Sequence, residues 1–176
     1  MGAGKTSVGR ALGKCLGWTF EDLDERIERR EGRALTEIFR NSGEPGFRRA
    51  ESAALIEVLG ELQSGAERIV ALGGGAFIQK ENARLIKAAK VPTVFLDGDV
   101  EELWRRCGRQ SEEKEIERPL LGSLDSFRAL CEARRPQYLK ASLRQDTSGR
   151  TVKKIAAELV EVLGLNRSGG KRGYKQ

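Results

Sequence analysis

The chain begins with the stretch "MGAGKTSVGRALGKCLGW", residues 1–18. The phosphate-loop pattern GxxxxGK(S/T) is matched in its second half by Gly2-Ala3-Gly4-Lys5-Thr6, with Ser7 following. Glycine-rich turns let backbone N–H groups converge on phosphate oxygens, and the N-terminus of a following helix adds a favourable dipole. We therefore predict a nucleotide site, with Lys5 on the β- and γ-phosphates and the Thr6 hydroxyl as a Mg²⁺ ligand.

The residues after this loop predict an amphipathic helix. The helical spacing i, i+3, i+4, i+7 and i+8 is occupied by the apolar side chains Val8, Ala11, Leu12, Cys15 and Leu16. A flexible, glycine-rich terminus entering a helix is the alternative interpretation. A phosphate loop is normally fed by a buried strand, whereas Met1 stands in the middle of the loop pattern. We therefore expect that the natural protein starts upstream and that this Met is an internal residue.

Composition narrows the functional classes. The chain has 176 residues, 39% hydrophobic and 33% charged, which is typical of one soluble domain with a core. There is no histidine, which excludes a His-dependent triad and a Cys/His zinc site. The three cysteines form no CxxC pair and indicate reduced residues, mostly in the core, of a cytoplasmic protein. No apolar run is long enough for a membrane span.

The net charge of +6 is concentrated at the C-terminus. The segment after Leu163 carries four basic side chains and no acidic one: Arg167, Lys171, Arg172 and Lys175. The rest of the chain is therefore nearly balanced, unlike a nucleic-acid-binding domain with a basic folded face. We predict one domain over residues 1–164, a disordered tail over 165–176 and no nucleic-acid partner.

Short apolar strands alternate with helices along the chain. Strands are predicted at "WTFEDLD", "RIVAL" and "VPTVFL" and near Leu143, with helices between them. A break is expected at "NSGEPG", a helix end at Pro136, and an irregular charged loop over residues 108–122. This alternation indicates a parallel sheet covered by helices.

Acidic residues and glycines follow two of these strands. Asp22 and Asp24 would face one pocket if the chain were extended, or would cap a helix and lie in its first turn. The triplet Gly73-Gly74-Gly75 would let a ligand approach the backbone, or would form a simple turn.

Several arginines have no settled role from pattern alone. Arg48 and Glu51 lie three residues apart on a helix, the spacing of a surface ion pair. Arg118 stands in the charged loop without a structural task. Arg134 and Arg135 would interact with the C-terminus of their helix, or one of them would bind an anion.

The order of these motifs resembles the shikimate kinase family over nearly the whole chain. The matching motifs are GAGKT, DLD, GFRxxE, GGG, RPLL, RRPxY and DTSGRT. The resemblance implies a three-layer α/β/α P-loop kinase whose central parallel sheet has five strands in the family, with the first strand absent here. It also implies a shikimate-binding segment near 23–51, a mobile lid near 108–122 and a monomer. The expected reaction transfers the γ-phosphate of ATP to the 3-hydroxyl of shikimate.

The resemblance also assigns roles. Asp24 would bind the shikimate hydroxyls and act as the base, while Lys5 and Arg118 would act on the transferring phosphate. The substrate carboxylate would be held by Arg48 and Arg134, and the pocket lined by Gly73, Gly74 and Gly75. Mg²⁺ would be held by Thr6 and, through water, by Asp22. The residues expected at ATP are Gly2, Ala3, Gly4, Lys5, Thr6, Ser7, Arg106 or Arg109, Arg118 and Arg150 in the loop 147–151.

Two alternatives remain open at the level of sequence. A gluconate-type kinase would share this architecture, although the paired arginines and the GGG and RPLL motifs favour a small hydroxy-acid such as shikimate. A non-catalytic relative would act as a binding module. The missing strand favours that alternative, whereas retention of Lys5, Asp24 and Arg118 opposes it.

Overall fold

The computed structural model describes residues 2–114 and 123–165. The helices are α1 (Lys5–Leu16), α2 (Leu23–Glu31), α3 (Leu35–Gln63), α4 (Lys80–Ala89), α5 (Val100–Lys114), α6 (Leu124–Tyr138) and α7 (Val152–Val162). The strands are β1 (Thr19–Asp22), β2 (Arg68–Ala71), β3 (Val94–Asp97) and β4 (Leu143–Asp146). A short 3₁₀ turn covers Ala76–Ile78. The predicted alternation of strands and helices is confirmed.

The strands pair in parallel, as predicted. β1 lies beside β2 with Thr19 opposite Arg68, and β3 lies beside β4 with Val94 opposite Leu143. Within residues 2–114 and 123–165 the two pairs are separate two-stranded sheets, with no ladder joining β2 to β3. The chain therefore has an α/β architecture in which the parallel strands form two separate pairs.

Helix α1 packs on one face of this arrangement. The buried residues of this cluster come from α1 and α7: Val8, Leu12, Leu16, Ile155, Ala156 and Leu159. Gly9 and Gly13 of α1 lie directly against Phe20 and Trp18, because a Cβ at either glycine would collide with them. Cys15 is exposed, so its predicted place on the apolar stripe is wrong. The two glycines add a close approach of α1 to Phe20 and Trp18, beside the apolar contact made by Val8, Leu12 and Leu16.

Helix α3 carries the centre of the second cluster. The expected break at "NSGEPG" is a kink within one long helix, where Gly43 adopts φ 63° and ψ −176°. Beyond the kink, Phe47, Ala50, Ala54 and Val58 are buried against α2 and α4, as their spacing predicts. This packing fixes the face of α3 that bears Arg48 and Glu51.

Three boundaries differ from the sequence prediction. Helix α6 continues through Pro136 to Tyr138, because the Leu139 N–H still donates to the Arg135 carbonyl at 2.9 Å. Proline removes one helical hydrogen bond without preventing the next ones. Helix α5 extends to Lys114, well into the predicted loop. Leu165, assigned to the tail, packs on the α1–α7 cluster.

Met1 and residues 115–122 and 166–176 lie outside the described residues. They include Arg118 with the whole RPLL motif, much of the lid predicted at 108–122, and most of the tail predicted at 165–176. Within the part of the chain that the structure describes, no helix combines the length and apolarity needed to cross a membrane.

Candidate active site

Two glycines with left-handed backbone conformation shape the phosphate loop. Gly2 and Gly4 have φ of 65° and 80°, and Gly4 is the N-cap of α1. No described side chain caps α1, so the N–H groups of its first turn remain free to meet an anion. Gly2 rests on α5, where a Cβ would stand only 2.9 Å from the Cys107 sulfur. Ala3 is buried beside it, whereas Ser7 is exposed in the first turn.

Two oxygen donors meet beside this loop. The Thr6 hydroxyl donates to Asp22 Oδ2 at 3.4 Å, and Asp22 Oδ1 accepts the Asp24 N–H at 3.2 Å. Asp22 is therefore the N-cap of α2, one of the two sequence interpretations. Asp24 lies in the first helical turn, so the extended-chain argument for it is wrong, although its carboxyl still reaches the same region.

These donors fit a magnesium ion. Mg²⁺ prefers hard oxygen ligands and is commonly bound by one or two protein oxygens together with substrate phosphates and water. A hydroxyl and a carboxylate side by side at the phosphate loop meet that requirement. Within residues 2–109 and 123–165, no group of three or more acidic, Cys or His side chains forms an all-protein metal cage.

Asp24 is a half-buried carboxyl in an acidic setting. Its pKa is raised to about 6, chiefly by burial and then by the negative charges of Asp22 and Glu51, while the Lys5 ammonium opposes the rise. The influence of Lys5 also shows that Asp24 and the phosphate loop lie close enough to interact. A carboxyl with this pKa is largely ionised at neutral pH and accepts a proton readily.

The glycine triplet after β2 is where three predicted substrate residues meet. A Cβ on Gly73 would stand 2.8 Å from Asp24 Oδ1, and one on Gly75 would stand 2.5 Å from Arg48 Nη1. On Gly74 it would lie 3.4 Å from Arg134 Nη1. Because each glycine lacks a side chain, one functional side chain can approach its backbone closely. The triplet is therefore more than a simple turn.

Arg48 is held by two carboxylates. Its Nη1 donates to Glu51 Oε2 at 2.9 Å, and its Nε and Nη2 donate to Glu44 Oε1 at 3.3 and 3.1 Å. Arg48 and Glu51 therefore pair as their spacing predicts, but Glu51 is only 1% exposed, so the predicted surface location of the pair is wrong. Burial raises the pKa of Glu51, and the Arg48 guanidinium opposes that rise.

Glu51 is thus a site residue that its spacing alone did not reveal. A signal was present, because Glu51 falls between Ala50 and Ala54 on the apolar face of α3. A carboxylate on a buried helix face requires a cationic partner.

The last turn of α6 brings Arg134 to the triplet. The Tyr138 hydroxyl donates to the Gly74 carbonyl at 2.5 Å, and its ring lies 5.3 Å from that of Phe95. Arg135 points elsewhere and pairs with Asp97 at 2.7 Å. The structure therefore separates the two arginines, and it adds Tyr138, which sequence reasoning placed beyond the helix end and gave no role.

The predicted nucleotide-base residues are only partly brought together. Arg106 donates to the Thr147 hydroxyl at 3.3 Å and to the Thr147 carbonyl at 3.0 Å, joining α5 to the loop 147–151. Arg150 pairs with Glu158 at 2.6 Å, and Arg109 is exposed on α5. Arg106 is thus the predicted arginine that links both walls of the expected adenine site.

Comparisons with known proteins show the family of this chain. The shikimate kinase family model matches residues 1–164. A shikimate kinase of Cereibacter sphaeroides is 40% identical over 93% of this chain and 78% of its own length, and one of Thermus thermophilus is 39% identical over 93% and 85%. The solved structure of shikimate kinase from Acinetobacter baumannii in complex with shikimate has a TM-score of 0.75 at 34% identity, covering 93% of this chain and 88% of that one. The Bacteroides thetaiotaomicron shikimate kinase has a TM-score of 0.78 at 30% identity, with 94% of both chains covered. This chain belongs to the shikimate kinase family.

Proposed function

We propose that this protein transfers the γ-phosphoryl group of ATP to the 3-hydroxyl of shikimate. The observation that carries the proposal is the meeting of Asp24, Arg48 and Arg134 over one glycine triplet, close to the phosphate loop. A hydroxylated carboxylic acid needs a group for its hydroxyl and cations for its carboxylate, and this arrangement supplies both. Membership of the family, and a relative solved in complex with shikimate, support the same acceptor.

The hydroxyl side of the reaction falls to Asp24. A carboxylate with a pKa of about 6 is ionised at neutral pH and is basic enough to accept the hydroxyl proton as the phosphoryl group arrives. Its position in the first turn of α2, over Gly73, would orient the hydroxyl as well as deprotonate it.

The carboxylate side falls to Arg48 and Arg134. Guanidinium groups bind carboxylates bidentately, which fixes orientation as well as charge. The buried Glu51 holds one nitrogen of Arg48 from behind and so restricts its rotation. Two arginines against one carboxylate favour shikimate over an uncharged sugar.

The phosphate side falls to the backbone of Gly2, Ala3 and Gly4 and to Lys5. The adenine would lie near Arg106, with Arg109 and Arg150 as further predicted contacts, and Ser7 stays a predicted contact of ATP beside the phosphate loop. Arg118 keeps its predicted role at the transferring phosphate, on residues that the structure does not describe. When bound between Thr6 and Asp22, Mg²⁺ would neutralise charge on the phosphates. A monomer in the cytoplasm, without a nucleic-acid partner, stays the prediction.

The test is ADP release from ATP and Mg²⁺ by this chain, with shikimate as acceptor and gluconate as the matched control. We expect turnover that depends on shikimate and is lost in Lys5→Met. Turnover with gluconate and none with shikimate would identify gluconate as the acceptor. Binding of shikimate without turnover would favour the non-catalytic alternative.

A further inference from the structure

We infer that Tyr138 is a positioning residue for the substrate carboxylate: its hydroxyl holds the Gly74 carbonyl and thereby fixes the glycine triplet against Arg134. The inference rests on the proposed function and adds a residue to its acceptor side. Tyr138 itself does not touch the reacting atoms. It acts through the Gly74 carbonyl and the Arg134 guanidinium.

The Tyr138 hydroxyl and the Arg134 guanidinium both lie against Gly74. The hydroxyl donates to the Gly74 carbonyl at 2.5 Å across 64 residues of sequence. A Cβ on Gly74 would stand 3.4 Å from Arg134 Nη1 and 3.9 Å from Tyr138 Oη, so both head groups lie over the same glycine. A side chain at position 74 would crowd both of them.

The electrostatics suit a donor at this position. Burial raises the pKa of Tyr138 above its ordinary value, and the Arg134 guanidinium opposes that rise. The phenol is therefore protonated at neutral pH, and its single proton is donated to the Gly74 carbonyl. Its lone pairs remain for the neighbouring guanidinium, since an arginine can only donate.

The Tyr138 hydroxyl does not take part in the contacts that hold the last turn of α6 in place. Arg135 binds Asp97 at 2.7 Å, and the Tyr138 ring packs on Phe95 of β3 with 5.3 Å between ring centroids. These contacts keep the last turn of α6 on the sheet when the hydroxyl is absent. Tyr138→Phe therefore removes the link to Gly74 while leaving the ring and the helix in place.

The matched pair of variants is Tyr138→Phe and Phe95→Leu. With ATP saturating, we expect Tyr138→Phe to raise the KM for shikimate about 3- to 10-fold, the range of one lost hydrogen bond. Its kcat, its KM for ATP and its melting temperature should stay close to wild type. Phe95→Leu should lower the melting temperature and leave the KM for shikimate within about 2-fold.

A double-mutant cycle tests the route through Arg134. In an Arg134→Lys background, Tyr138→Phe should change the KM for shikimate by less than about 2-fold, because the group that it positions has been replaced. Full additivity, or an unchanged KM in the single variant, would overturn the inference while wild-type turnover stands. A wild-type chain without shikimate-dependent turnover would overturn the proposed function and this inference together.

Discussion

The two sides of the candidate site are built from different material. The phosphate side is one continuous segment, residues 2–7, in which backbone groups and two left-handed glycines create the shape. The acceptor side is assembled from side chains of α2, α3 and α6, which meet over Gly73–Gly75. The first side is local in sequence, whereas the second depends on packing between segments far apart.

This difference predicts which substrate a substitution on each side should affect. On the phosphate side a substitution matters through backbone conformation, and its effect should fall on ATP. On the acceptor side it matters through charge and hydrogen bonding, and its effect should fall on shikimate. Variants that affect only one substrate would support this division, and variants that weaken the binding of both substrates would contradict it.

The largest effect is expected from Asp24→Asn. An amide cannot accept the hydroxyl proton, so kcat should fall by about 10²- to 10⁴-fold. In the wild type, kcat/KM should decline below about pH 6 as Asp24 becomes protonated. Initial rates of ADP release between pH 5 and 9 measure both. A variant with more than about a tenth of wild-type kcat would remove Asp24 from its proposed role.

The same variant carries its own control for folding. The pKa of Asp24 is about 6 in the folded chain and 3.8 ordinarily, so the folded chain binds more protons between these values. Ionised Asp24 therefore lowers the free energy of unfolding above about pH 6. Asp24→Asn should be more stable than wild type at pH 8, by about 1–3 kcal/mol in urea unfolding. Equal or lower stability would contradict the assigned burial.

The next effect tests the phosphate side through Gly2→Ala. Gly2 has φ 65°, and a Cβ there would press on the Leu103 carbonyl and the Cys107 sulfur of α5. We expect the KM for ATP to rise about 10-fold or more while shikimate affinity stays near wild type. Gly32→Ala is the matched control, with φ 67° and no neighbour within 4 Å. It should lose stability alone, and an equal rise in KM for ATP there would refute the local explanation.

The sequence predicts the phosphate side more completely than the acceptor side, for a physical reason. A loop and the helix that follows it are local, so GAGKT and the apolar spacing of α1 suffice. The strands were equally predictable, because short apolar runs between helices leave few alternatives. Within the apolar spacing of α1, Cys15 is exposed, while Val8, Leu12 and Leu16 are buried as predicted.

Side-chain convergence was harder to predict because it depends on tertiary packing. The spacing of Arg48 and Glu51 predicts their ion pair but not its burial, which results from the packing of α3. Pro136 predicts a helix end before Tyr138, yet α6 continues to Tyr138 and carries its hydroxyl to Gly74. Asp24 reached the site from a helix and not from an extended strand.

A smaller effect should follow from Arg48→Lys. Lysine keeps the charge but loses the bidentate fork, so the KM for shikimate should rise about 10-fold with little change in the KM for ATP. Arg49→Lys, at the exposed neighbouring position, is the control and should behave as wild type. Steady-state kinetics with each substrate varied in turn distinguish them. A shared loss in both variants would mean that α3 is disturbed and not the carboxylate site.

The smallest effect runs in the opposite direction. Glu44 is 67% exposed and occupies Nε and Nη2 of Arg48, the fork that also suits a substrate carboxylate. Glu44→Gln should therefore lower the KM for shikimate by about 2-fold, since an exposed ion pair contributes about 0–1 kcal/mol. Glu37→Gln, which disturbs the Arg40 pair on the same helix, should change nothing. If Glu44→Gln instead raises the KM, Glu44 supports Arg48 as Glu51 does, and the acceptor side is held by two carboxylates without internal competition.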